Sequence, residues 1–303
     1  MNQITLCEVG PRDGIQNEKL ILDTDTKVAL IEAQVQAGFR VVEVGSFVSP
    51  KAVPQTADTD EVFRRLDAKP GVEYRALIAN QKGVERAIAC GCKKVKMNVS
   101  ASETHNLKNL GCTPAESVAR FDPCVKLALE NGIGISGSIS MAFGSPWDRE
   151  ISPETVCSII DAYVAAGITE ISLSDASGQA FPLQVERMAA YVTERYPQVL
   201  FWLHFHNTRG LACANIMAGL RYGITHFDTA FAGLGGCPFV PGASGNISTE
   251  DVVHMCLGCG IETGIDLDAV LATGARVREI FGHSDSSVLK AGRYDRILTE
   301  ERK

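Results

Sequence analysis

A chain of 303 residues, 45% hydrophobic and 21% charged, has the composition of an ordinary globular protein and can form one large domain or two small ones. Its formal charge of −7 and the lack of a basic tract argue against nucleic acid as the main partner, because phosphate binding concentrates Lys and Arg. No apolar run reaches the roughly 18 residues that span a bilayer, and the opening MNQITLCEVGPRDG lacks the charged and apolar regions of a secretion signal. A cytoplasmic protein with no membrane partner is therefore expected, and its ten cysteines are read as thiols, most of them inert core residues.

Along the chain, short β-branched runs alternate with longer segments of helical spacing. The candidate strands are Ile4–Val9, Val41–Val44, Tyr74–Ile78, Lys94–Asn98, Ile133–Ile139, Glu170–Leu173, Val199–His204 and Thr225–Asp228. Thr24 marks the first helix start and Ser152-Pro153 opens the fifth helix, while Gly38, Gly132, Gly167 and Gly223 suit left-handed caps at helix ends. Eight such units predict an α/β fold, a closed (βα)8 TIM barrel. An open doubly wound sheet is disfavoured because no glycine-rich phosphate loop follows the first strand. Asp266–Phe281 is a further amphipathic segment, expected to pack outside or across the barrel. No change of composition marks a second domain. A single domain is expected, with the barrel over about residues 3–260 and a C-terminal helical extension over about 261–303.

In this architecture the chemistry sits at the carboxyl ends of the strands. Arg12 and Asp13, Glu43 and Ser46, Asp175, His204 and His206, and the Gly233–Asn246 loop all fall there. The two-residue spacing of His204 and His206 puts both imidazoles on one face of an extended segment. With oxygens from Asp13 and Asn246 and open water positions, such a set suits a divalent cation, Mg²⁺ or Mn²⁺, better than a closed thiolate zinc site. Arg12, a planar and permanently charged group, is a candidate to stabilise a developing enolate. Cys237, in the middle of a loop rich in glycine and proline, is poorly explained as core and is a candidate proton-transfer thiol. His105, His226, His254 and His283 lie outside this constellation.

Four segments, EVGPRDGIQNE (Glu8–Glu18), SFVSPKAVPQ (Ser46–Gln55), HFHNTRG (His204–Gly210) and AGLGGCPFVPGASGNISTED (Ala232–Asp251), closely resemble the 3-hydroxy-3-methylglutaryl-CoA lyase family, the likeness running from about residue 4 to residue 275. The resemblance implies a TIM barrel and a metal-dependent carbon–carbon lyase. It also implies a divalent cation on Asp13, His204, His206 and Asn246, enolate stabilisation by Arg12, proton transfer by Cys237, and supporting catalytic roles for Glu43 and Asp175. Asp13 and His204 are both candidates for the general base. The substrate is expected to be an acyl-CoA, 3-hydroxy-3-methylglutaryl-CoA or a close 3-hydroxyacyl-CoA, giving acetyl-CoA and a keto acid such as acetoacetate. Its expected contacts are Arg12, Gln16, Ser46, Ser102 and Arg209, with Lys51 and the Ser100–Asn109 stretch near the CoA phosphates. A homodimer or higher homo-oligomer is expected. The alternative on the same metal barrel is a Claisen-type acyltransferase or keto-acid aldolase. Asn207, Arg209, SLSDASG and KMNVSASE depart from the family's usual pattern near the mouth and leave the acyl side group open.

Overall fold

The computed structural model describes residues 3–236 and 245–292. Eight parallel strands form a closed barrel in chain order: β1 (Thr5–Glu8), β2 (Val41–Ser46), β3 (Glu73–Ile78), β4 (Lys94–Ser100), β5 (Gly134–Ser140), β6 (Glu170–Asp175), β7 (Leu200–Phe205) and β8 (His226–Thr229). Closure is made by β1 against β8, in register from Thr5 opposite His226 to Glu8 opposite Thr229. The predicted strands and their order are those observed, with ends moved by one or two residues at most positions.

The surrounding helices are α1 (Thr24–Gln36), α2 (Thr59–Arg65), α3 (Gln81–Cys90), α4 (Glu103–Leu110), α5 (Pro114–Ala119), α6 (Phe121–Glu130), α7 (Pro153–Ala165), α8 (Pro182–Arg195), α9 (Ala212–Arg221), α10 (Thr249–Gly258), α11 (Leu267–Phe281) and α12 (Ser287–Ala291). Short polar side chains start most of them, as Ser152 does for α7 by accepting from Thr155 N. The first cap is Asp23 rather than Thr24: its carboxylate accepts from Thr26 N at 2.7 Å, and Thr24 is already helical. Gly38 leaves α1 with φ +119°, and a Cβ there would lie 3.1 Å from Ile265 Cα, so the tight return into β2 requires glycine. The segment expected to lie outside the barrel is α11, packed on α1, α10 and the turn Phe231–Gly233. Among the described residues no helix is long and apolar enough to cross a membrane.

The main apolar core lies between sheet and helices, built from the outward residues of the strands, such as Val42, Val95, Ile139 and Leu203. The inside of the barrel is different. Arg75 on β3 reaches Glu170 on β6 at 2.9 Å and stacks over Trp202 on β7, while Lys94 meets Glu170 at 2.6 Å. Contacts between strands that are not neighbours can only run through the interior. In place of the usual bulky branched residues, the lower barrel is filled by paired charges.

Candidate active site

The carboxyl end of β1 does not run straight into a loop. The Val9 carbonyl accepts from the amides of Arg12, Asp13 and Gly14, at 3.1, 2.7 and 3.2 Å, so Gly10–Gly14 wind into one π-helical turn. This turn fixes Arg12 and Asp13 side by side at the mouth, both buried. The Arg12 guanidinium is divided between two carboxylates: Nε donates to Glu43 at the end of β2, and a terminal nitrogen donates to Asp13. Gln16 Nε2 donates to Asp13 Oδ1 at 2.8 Å.

His204 closes from β7 and His206 from the residue just beyond it, with ring centroids 5.2 Å apart. Their Nε2 atoms lie 3.9 and 3.8 Å from Asp13 Oδ2. One ligand atom from each of Asp13, His204 and His206 falls within 4.8 Å of the others, a spacing at which a single cation can take all three. His204 Nδ1 is engaged with Asp228 Oδ2 at 3.2 Å, which leaves Nε2 facing Asp13. Such a carboxylate behind a ligating histidine fixes the ring orientation. Asn246 stands beside the cluster, bridged to His206 by backbone pairing. Its amide nitrogen donates to Asp13 Oδ2 at 2.8 Å and to Leu234 O at 3.0 Å, so nitrogen rather than oxygen is turned to the carboxylate.

The electrostatics are those of a compact charge cluster. Burial alone would raise the Asp13 carboxyl, but Arg12 and the two histidines hold it well below the usual carboxylate range. Burial likewise acts to raise Asp228 and Glu43. Lys96, His204 and Arg75 keep Asp228 ionised, and Arg12 and Lys96 do the same for Glu43.

These residues open onto a cavity of about 620 Å³. Arg12, Asp13, His204 and His206 line it together with Asn98, Ser138, Ser140 and Ser174. Gln16 and Ser46 border it as expected, and His105, set aside in the sequence, does too. Ser102 does not. It caps α4 by accepting from His105 N and donates to Asp148, so the residue expected to contact substrate is held in a buried helix cap away from the cavity wall. Arg209 also lies off the cavity, its guanidinium donating to the carbonyls of Ser177 and Gly178 at 3.4 and 3.1 Å. Lys51 is exposed and is not part of the cavity wall. Asp175 spends both carboxylate oxygens on the loop after β6, accepting from Ser177 Oγ, Gln179 N and Ala180 N. Cys237 lies outside the described residues.

Lys96 and Asp228 were missed in the sequence. Lys96 sits between Val95 and Met97 and Asp228 follows Phe227, so alternation marks an unusual inward polar residue but does not say which strand faces it.

The HMGL-like family model matches residues 3–277. The chain is 42% identical over 285 residues to the mitochondrial hydroxymethylglutaryl-CoA lyase of Bos taurus, covering 94% of this chain and 88% of that one. This chain belongs to the hydroxymethylglutaryl-CoA lyase family. Within that family it is 40% identical, over 94% of this chain and 95% of the relative, to a Pseudomonas aeruginosa protein named 3-hydroxy-3-isohexenylglutaryl-CoA/hydroxy-methylglutaryl-CoA lyase. A solved Acinetobacter baumannii HMG-CoA lyase in complex with coenzyme A and 3-methylmalate superimposes with a TM-score of 0.92 at 42% identity, covering 96% of each chain.

Proposed function

We propose that this member of the family is a metal-dependent carbon–carbon lyase that cleaves 3-hydroxy-3-methylglutaryl-CoA, or a closely related 3-hydroxyacyl-CoA, to acetyl-CoA and a keto acid such as acetoacetate. The observation that carries this reading is the meeting of Asp13, His204 and His206 beside the Arg12 guanidinium in the lining of one cavity.

The donor set fits a divalent cation: one carboxylate oxygen and two imidazole nitrogens converge, and the second nitrogen of His204 is already engaged with Asp228. Mg²⁺ or Mn²⁺ is the ion we assign, since these tolerate mixed oxygen and nitrogen donors with open positions. When bound, it would polarise the 3-hydroxyl and a carbonyl oxygen of the substrate and lower the hydroxyl pKa. Asp13 and His204 are the groups at hand to accept the hydroxyl proton. Breaking the C2–C3 bond then leaves a ketone and the enolate of the thioester. Arg12, held by Glu43, presents a fixed positive charge to that enolate oxygen. Cys237 is assigned the return of a proton to carbon. In support, the described residues flanking its segment are held at the mouth: Gly236 O accepts from Asn17 Nδ2, and Gly245 O accepts from Asn207 N, each at 2.8 Å.

The acyl side group is the open part of the reading. Relatives at similar identity carry names with either a methyl or an isohexenyl substituent. Purified protein with Mg²⁺ or Mn²⁺ is expected to release acetyl-CoA from 3-hydroxy-3-methylglutaryl-CoA or a longer 3-alkyl analogue. Release from none of them overturns the proposal, and condensation of acetyl-CoA with a keto acid would move the chain to the Claisen-type class.

A further inference from the structure

Lys96 lies in none of the four segments that carry the family likeness, yet it touches two carboxylates that hold site residues. It sits on β4 and is buried. Its ammonium crosses the interior to Glu43 Oε2 on β2 at 2.8 Å and to Asp228 Oδ2 on β8 at 3.4 Å. Strand adjacency does not bring these together, because β4 pairs with β3 and β5. Glu43 turns its other oxygen to Arg12 Nε, and Asp228 Oδ2 is shared with His204 Nδ1. Lys96 is thus the apex of two arms, one ending on Arg12 and one on His204.

Charge balance alone would account for a lysine between two buried carboxylates. It does not account for the other contact of one carboxylate being Arg12 and of the other being His204. Two like charges within reach of one ammonium, in an interior of low dielectric, repel strongly once that ammonium is gone. They must then swing apart or draw in water, and either movement releases what they hold. A compact ammonium on a flexible stem can serve two acceptors at once, whereas an apolar side chain serves neither.

We propose that Lys96 is a positioning residue: it braces Glu43 and Asp228 so that the Arg12 guanidinium and the His204 ring keep one orientation towards the reacting groups. The geometry stands on its own; the kinetic consequence rests on the lyase reading. Removing an outer support of this kind costs on the order of tenfold to a hundredfold in activity.

The test compares wild type with Lys96→Met and Lys96→Arg. For a folded Lys96→Met, kcat is expected to fall about tenfold or more with KM nearly unchanged, and Lys96→Arg to recover most of the loss. Crystals of metal-free Lys96→Met should show Arg12 or His204 displaced by about 1 Å, the looseness that an unsupported site acquires. Unchanged kcat with both side chains in place overturns the proposal. So does a rise in KM at constant kcat, which would make Lys96 a substrate contact. If Lys96→Met does not fold, Lys96→Gln, whose amide can still donate to one carboxylate, is measured the same way. An inactive wild type would sink the lyase reading while the crystal comparison still decides the brace.

Discussion

At the scale of single residues, the site is a set of side chains that mostly point at one another. Replacing His204 with Ala takes one nitrogen from the candidate cation site and leaves Asp228 with Lys96 but without its histidine contact. Calorimetric titration with Mn²⁺ is expected to show affinity weakened by roughly tenfold to a hundredfold, and affinity equal to wild type would contradict the ligand assignment. Two other buried carboxyls grip the turn that leads into the Gly233–Asn246 loop. Glu8 accepts from Gly10 N and Phe231 N, and Glu250 accepts from Ala232 N, a residue at φ +55°. Burial pushes Glu8 up to about 8 and Glu250 up to about 7, from an ordinary 4.5. Groups raised in this way add stability that is complete below the ordinary value and is lost as pH rises through the folded one. The melting temperature should therefore drop between pH 5 and pH 9. Calorimetry on Glu8→Gln should show a shallower drop, and an identical slope would exclude Glu8 as its source.

At the scale of elements, the end of β2 is shaped by a bulge. Its register against β3 shifts between Glu43 and Gly45, which lets Glu43 face the interior while Ser46 reaches the cavity. Gly45 packs directly on α2: a Cβ there would come within 2.7 Å of Thr59 Cγ2, and Thr59 Oγ1 accepts from Ser46 N at 3.0 Å. Gly45→Ala is expected to destabilise the fold by about 1–3 kcal/mol through overpacking. It should lower kcat too, because the displaced strand carries Glu43. Urea unfolding and turnover measured together check this, and a neutral effect on both would mean that α2 gives way instead. The π-helical turn after β1 plays the matching role on the neighbouring strand, placing Arg12 and Asp13 where a plain loop would not.

At the scale of the whole molecule, a cation that binds only the folded chain adds stability by mass action, about 2.7 kcal/mol at a free concentration one hundred times its Kd. Mn²⁺ should raise the melting temperature of wild type in scanning fluorimetry and leave Asp13→Ala largely unmoved. An equal shift in both would place the ion elsewhere. Much of this protein is determined by its sequence alone. The eight-fold alternation of β-branched runs with helical segments specifies the barrel, because each strand needs a helix to cover its outer face. The strand-end rule then puts Arg12, Asp13, His204 and His206 in one place. What the sequence does not contain is which inward positions meet across the barrel. Lys96, Asp228 and Glu43 are far apart along the chain and lie on strands that are not neighbours, so closure of the sheet alone makes them a cluster. The same limit applies to Ser102, Asp175 and Arg209. Each lies close to a strand end in the sequence, but that Ser102 caps a helix, Asp175 bonds within its own loop and Arg209 reaches backbone carbonyls becomes visible only in the folded chain.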